Sequence, residues 1–88
     1  MNVAQIRDWL VTQIFDPLKN VHGLKITLRA GDIHSVLGLT RRQPSVCQAL
    51  RTVSQYTQIV VLHAARPGAN VYANQPNGAN VWYTYEIR

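Results

Sequence analysis

Histidine and cysteine, the side chains that most often bind metals or act as nucleophiles, are few and far apart in this sequence. The only ones are His22, His34, His63 and Cys47. Zinc sites need ligands in close pairs, about two to five residues apart, and no such pair occurs. Cys47 would need exposure and a neighbouring base to act as a nucleophile. The chain also has no paired carboxylates and no phosphate-binding loop. We expect no catalytic residue, no metal and no cofactor.

Arginine, glutamine and hydroxyl side chains instead gather between residues 41 and 52. The 88-residue chain has nine Lys and Arg against four Asp and Glu, a formal charge of +5. No acidic residue occurs from Ile33 to Tyr85, a span that contains Arg41, Arg42, Arg51 and Arg66. A basic surface of this kind suits a polyanion, most simply nucleic acid.

The stretch Asp32–Val53 predicts two short helices joined by a tight turn. In the first helix, Ile33 and Leu37 are four residues apart and share one face. Gly38 follows, and glycine most easily adopts the left-handed conformation that ends a helix. Pro44 is placed for the first turn of the second helix.

Rotation at about 100° per residue from a buried Val46 predicts the two faces of the second helix. Arg41 and Arg42 are helical if Thr40 is the N-cap, and belong to the turn if Gln43 is. Cys47 falls on the border between the faces. The inward residues are Ala49, Leu50 and Val53, and the outward residues are Pro44, Ser45, Gln48, Arg51 and Thr52.

An amphipathic helix is predicted at the start of the chain. Asn2 is a suitable N-cap, and the residue before Pro17 disfavours helical angles, so Asp16 and Pro17 are expected to end the helix. Trp9 and Phe15 lie at the margins of its apolar stripe, which consists of Val3, Ile6, Leu10 and Ile14.

Three strands are predicted from alternating and β-branched residues, at Lys25–Leu28, Thr57–Ala64 and Asn80–Ile87. The last two are expected to form an antiparallel hairpin with Val81, Tyr83, Tyr85 and Ile87 on one face. The connection, Ala65–Ala79, either forms a mobile tip or extends a strand through Val71–Ala73.

The pattern I-x-x-x-L-G-L, a polar corner and V-x-x-A-L resembles the helix-turn-helix of winged-helix DNA-binding domains. The resemblance covers nearly the whole chain and implies one α+β domain over residues 1–88, with the order α1-β1-α2-α3-β2-wing-β3. The helix-turn-helix would span about residues 30–54 and the wing hairpin about residues 57–87.

This resemblance implies sequence-specific binding of double-stranded DNA by a small transcriptional regulator, a homodimer on a two-fold site. The second helix of the pair would enter the major groove and the wing would contact the backbone or minor groove. Arg66 at the wing is either such a contact or an ordinary solvent-facing arginine. Base contacts are assigned to Ser45, Gln48, Arg51 and Thr52, and backbone contacts to Arg41, Arg42 and Gln43.

Two alternatives stay open: a winged-helix protein–protein interaction module, and a DNA-binding component of a replication, partition or recombination assembly. An exposed Trp82 would be the first candidate for self-association. No small-molecule ligand is evident. One cysteine, no signal peptide and no membrane-spanning run predict a cytoplasmic protein, nucleoid-associated if bacterial or archaeal.

Overall fold

The first helix begins after Asn2, as predicted. In the computed structural model, which describes residues 1–67 and 80–88, the Asn2 side chain accepts a hydrogen bond from the Gln5 backbone N–H at 2.8 Å. The Gln5 side chain accepts one from the Asn2 backbone N–H, also at 2.8 Å. This reciprocal pair satisfies two donors that a helix start leaves unpaired. Helix α1 (Val3–Leu10) then buries Ile6 and Leu10.

The prediction that Asp16 and Pro17 end this helix is wrong. The α-helix stops at Leu10 and continues as a π-helical segment, Val11–Phe15, and a 3₁₀ turn, Asp16–Leu18. Asp16 has helical angles, φ −58° and ψ −42°, although a proline follows it. Pro17 is tolerated because it lies in the first turn of the 3₁₀ segment, where its missing N–H is not needed.

The π-helical segment carries Phe15 into the core. Leu10 and Phe15 are five residues apart, the span of the i→i+5 hydrogen bond that defines a π-helix. Both side chains are fully buried. The aromatic ring of Phe15 lies 5.0 Å from that of Tyr85. The prediction that Phe15 lies at the margin of the apolar stripe is therefore wrong. Trp9, which was predicted at the same margin, is half-buried at the edge of the core.

A short strand leads directly into the second helix. Strand β1 (Lys25–Arg29) contains the predicted strand, and α2 (Ala30–Val36) begins at the next residue, two positions before the expected Asp32. The helix is followed by Gly38 with φ +65°, the left-handed conformation that was predicted there.

Helix α3 (Gln43–Thr52) turns its predicted face to the core. Pro44 lies in the first turn, and Arg42 holds the N-cap position without a side-chain cap. A 3₁₀ turn, Val53–Gln55, follows the helix. Cys47 is fully buried, not on the border, because strand β3 lies against that side of the helix with Tyr83. The other buried residues are Val46, Ala49, Leu50 and Val53, as predicted.

Strand β3 (Val81–Ile87) is the middle strand of a three-stranded antiparallel sheet, between β1 and β2 (Val60–Pro67). The predicted hairpin pairing of the last two strands is confirmed. The opposite face of β3 leaves Trp82 38% exposed. The residues buried against the helices are Val81, Tyr83, Tyr85 and Ile87, as predicted.

Strand β2 lies three residues further along the chain than the predicted Thr57–Ala64. The Thr57 hydroxyl accepts a hydrogen bond from the Ile59 N–H at 3.2 Å, a local turn that delays the strand. At the other end β2 continues to Pro67, so Ala65 pairs with Tyr83 and is not part of the connection. The predicted extension through Val71–Ala73 lies outside the described residues.

The helices and the sheet meet in one core. The Tyr85 hydroxyl donates a hydrogen bond to the Leu50 carbonyl at 2.5 Å, joining β3 to α3. The result is a small α+β domain with three α-helices and a three-stranded antiparallel sheet in its described part, compatible with a winged helix. Within residues 1–67 and 80–88, no helix has the length and apolar character needed to cross a bilayer.

Candidate nucleic-acid interface

The turn between α2 and α3 presents two arginines to solvent. Arg41 and Arg42 are both exposed, and both lie outside α3, since the helix begins at Gln43. Arg41 has φ +56°. Neither Thr40 nor Gln43 is the N-cap: Arg42 holds that position, so Arg41 belongs to the turn and Arg42 stands at the helix boundary.

His34 of α2 holds this turn in place. Its Nε2 accepts a hydrogen bond from the Arg42 backbone N–H at 3.1 Å. Its backbone carbonyl accepts from the Leu39 N–H at 3.2 Å. Sequence reasoning did not find this role, because it depends on the fold of the turn that His34 supports.

The exposed part of α3 is narrower than predicted. Pro44 and Gln48 are exposed and Ser45 is half-buried, so these three form the outward surface of the first two turns. Gln43 is half-buried, and its Oε1 is buried with no hydrogen-bond partner among the described residues. Since a phosphate accepts from the NH2 group of an amide and not from its oxygen, the backbone contact of Gln43 stays a prediction.

Arg51 is half-buried and does not simply point away from the core. Its guanidinium is a polar neighbour of the buried Tyr83 hydroxyl, together with the Cys47 thiol. Burial raises the pKa of Cys47, partly offset by the Tyr83 hydroxyl and by the charge of Arg51. Burial likewise raises the pKa of Tyr83. The prediction that Arg51 lies on the outward face therefore needs correction: part of this side chain packs toward β3.

Thr52 turns toward α1. Its hydroxyl donates to the Gln48 carbonyl at 2.7 Å and accepts from Arg7 Nη1 at 3.4 Å. These contacts place it beside the first helix, so its predicted outward direction is also wrong.

The remaining predicted contact, Arg66, lies in β2 opposite Trp82. Its side chain lies outside what the structure describes, so its two predicted alternatives stay open.

No acidic side chain lies on α3 or on the turn before it. Asp32 is the nearest acidic residue in sequence. It forms an ion pair with Arg29, with 3.3 Å between Oδ1 and Nη2. Glu86 lies on the sheet, 3.5 Å from the His63 ring. The structure thus brings together an uncompensated surface with two guanidinium groups, an amide and a hydroxyl: Arg41, Arg42, Gln48 and Ser45.

Metal ligands do not gather in the described part of the chain. Across residues 1–67 and 80–88, no group of three or more His, Cys, Asp or Glu side chains is positioned to hold an ion.

The chain matches no family model, no curated protein and no solved structure. Its function has to be inferred from its own residues and their geometry.

Proposed function

We propose that this chain is a winged-helix protein that binds double-stranded DNA sequence-specifically and regulates transcription. Helix α3 is the recognition helix and enters the major groove. The β2–β3 hairpin is the wing and lies against the backbone or minor groove.

The observation that carries this proposal is the acid-free surface at the start of α3. Arg41 and Arg42 are exposed there, and Gln48 is exposed on the helix that follows. Guanidinium groups neutralise phosphates, and a glutamine amide pairs with the N6 and N7 edge of adenine. Such a surface supplies both the affinity and the base discrimination that a DNA reader needs.

The contacts divide between backbone and bases. Arg41 and Arg42 bind phosphates, and Ser45 and Gln48 read base edges. Arg51 supports the helix from the side of Tyr83, and Thr52 supports it from the side of Arg7. Base reading therefore rests on fewer residues than the sequence pattern suggests.

The test is selection of a duplex from a random pool, followed by gel shift over a range of salt concentrations. Affinity should fall steeply with salt because bound phosphates release counterions. Arg41→Ala should weaken every duplex alike and reduce the salt slope by about one. Gln48→Ala should relax preference at one base pair, by about 1–3 kcal/mol.

Matched controls remove the same groups elsewhere. Lys19→Ala deletes an exposed positive charge that pairs with Asp16, and Gln58→Ala deletes an exposed amide outside α3. Both should leave duplex binding unchanged. Absence of duplex binding, or affinity that does not change with salt, would contradict the proposal.

A protein–protein interaction module is the second candidate, and Trp82 favours it. This ring is 38% exposed on the open face of the sheet, and exposed tryptophans often anchor interfaces. In a DNA-binding protein the same ring is the candidate contact for a homodimer on a two-fold site. A module without DNA function would show weak duplex binding that Gln48→Ala does not alter.

A further inference from the structure

A groove of about 500 Å³ lies between the first helical segment and the chain that follows α3. Small-molecule sites typically have about 300–1,000 Å³. One wall comes from α1 and the start of the π-helical segment, and the other from the residues just before β2. The walls include Ala4, Arg7, Asp8 and Val11 on one side and Tyr56 and Thr57 on the other.

Arg7 is held in this groove with most of its hydrogen-bonding capacity unused. The carbon at the centre of its guanidinium lies 3.8 Å from the centroid of the Tyr56 ring. Within residues 1–67 and 80–88 its one hydrogen bond is a long one, 3.4 Å from Nη1 to the Thr52 hydroxyl. Among the described residues, no carboxylate lies within 4.0 Å of its nitrogens. Because a guanidinium has five N–H donors, this one is fixed in place by its ring contact and remains able to bind a carboxylate through two parallel hydrogen bonds.

Asp8 supplies the opposite charge to the same groove. It follows Arg7 on α1 and is exposed, and the ion pairs within 4.0 Å among the described residues do not include one between its carboxylate and the Arg7 guanidinium. A positive and a negative group therefore line one groove without neutralising each other. A ligand that carries both charges fits this arrangement, whereas a phosphate is repelled by Asp8.

The rest of the groove is largely apolar. Ala4 and Val11 contribute aliphatic surface, and the Tyr56 ring is 66% exposed. The Thr12 hydroxyl donates to the Asp8 backbone carbonyl at 2.9 Å, so its proton is not available to a ligand. The wall also includes the start of a π-helical segment, a rare conformation that is frequent at functional sites.

We propose that this groove binds a free α-amino acid with an apolar side chain. The ligand carboxylate is bound by Arg7, its ammonium group by Asp8, and its side chain lies on Val11 and on the part of the Tyr56 ring that Arg7 leaves uncovered. The site stands independently of DNA binding, since none of the proposed DNA contacts lines it.

The test is titration of the isotope-labelled full chain with L-leucine, without DNA, followed by NMR and calorimetry. Leucine should shift the signals of Arg7, Tyr56 and Thr57. N-acetyl-L-leucine lacks the ammonium group, L-leucinamide lacks the carboxylate, and glycine lacks the side chain. Each should bind at least about tenfold more weakly than leucine.

Variants distinguish a built site from general charge attraction. Asp8→Asn keeps the shape of an exposed side chain and should lower leucine affinity about tenfold. Asp16→Asn, which removes another exposed carboxylate outside the groove, should leave that affinity unchanged. No signal shift at millimolar leucine, or equal binding of inorganic phosphate or N-acetyl-leucine, would overturn the proposal. Because DNA is absent from this titration, a negative result leaves the gel-shift outcome untouched.

Discussion

Arg41 has a φ of +56°, and among the described residues it is the only one other than glycine with a positive φ. A side chain in this left-handed region costs about 1–2 kcal/mol. Arg42 beside it has φ −118°, so the strain is confined to one residue. Strain retained at an exposed position often marks a functional residue. Here the strained residue is Arg41, whose exposed guanidinium lies on the surface that we propose binds DNA.

Replacing Arg41 with glycine is expected to stabilise the fold and to weaken DNA binding. Glycine adopts a positive φ without a Cβ clash, so Arg41→Gly should raise the free energy of unfolding by about 0.5–1 kcal/mol. Loss of the charge should lower the affinity of all duplexes alike. Urea unfolding and gel shifts measure the two effects.

Arg42→Gly is the matched control. It removes the same side chain where φ is negative, so it should lower stability through the added freedom of the unfolded chain. An Arg41→Gly protein no more stable than the parent would contradict the assigned strain.

Rotation about the helix axis from Val46 predicted the directions of Gln48 and Leu50 correctly, because direction depends only on helical spacing. It failed at Arg51 and Thr52, whose side chains bend toward groups supplied by distant segments. Tyr83 lies 32 residues after Arg51 in the chain, and Arg7 lies 45 residues before Thr52. Such neighbours are fixed by tertiary packing and leave no local signal in the sequence.

The first helical region contains one residue more than a regular α-helix would need. Ile6 and Leu10 are one α-helical repeat apart, whereas Leu10 and Phe15 are separated by the longer π-helical repeat. Gln13 is exposed within the π-helical segment. Removing it would place the Phe15 side chain four positions after Leu10, on the stripe of a continuous α-helix.

Deletion of Gln13 is therefore expected to keep the fold, with the free energy of unfolding changed by less than about 1.5 kcal/mol. Circular dichroism and urea unfolding check this. Deletion of Asp8, inside the regular helix, rotates Ile6 relative to Leu10 and should cost about 2–5 kcal/mol, as for loss of a core side chain. Equal destabilisation by the two deletions would show that the extra residue is not confined to the π-helical segment.

The spacing of apolar residues predicted where the helices and strands lie, because a helix or strand with one buried face has apolar residues at its own period. It did not locate their ends. Strand β2 begins late because of a hydrogen bond from the Ile59 N–H to the Thr57 side chain. The α-helix ends at Leu10, well before Pro17, because the π-helical segment that follows turns Phe15 into the core. The first outcome depends on a local side-chain hydrogen bond that apolar spacing does not register. The second depends on the contact of Phe15 with Tyr85, 70 residues further along the chain, which no short window contains.

The two tyrosines of β3 that face the core link the stability of the whole domain to pH. Tyr83 and Tyr85 are fully buried, and burial raises the pKa of each above its ordinary value of 10.0. The folded chain therefore retains two phenol protons that the unfolded chain loses at high pH. Their contribution to stability is complete below pH 10 and is lost progressively as the pH rises above it.

The free energy of unfolding should thus fall above pH 10 by about 1.4 kcal/mol per pH unit for each such group. Tyr85→Phe should reduce this slope by about 1.4 kcal/mol per pH unit, the contribution of one phenol proton. Tyr56→Phe, at a side chain that is 66% exposed, should leave it unchanged. Urea unfolding at several alkaline pH values measures the slope, and identical slopes for the two variants would contradict the burial of the Tyr85 phenol.

The central place of β3 also determines when the molecule can be completed during synthesis. Strands β1 and β2 pair with β3 and not with each other. A growing chain makes α1, α2, α3, β1 and β2 before Val81–Ile87, so no pair among the three described strands can form until that segment has left the ribosome. Until then the nascent chain exposes the apolar sides of β2 and α3, the kind of surface that chaperones bind. Formation of the β1–β3–β2 sheet therefore waits for the synthesis of Val81–Ile87.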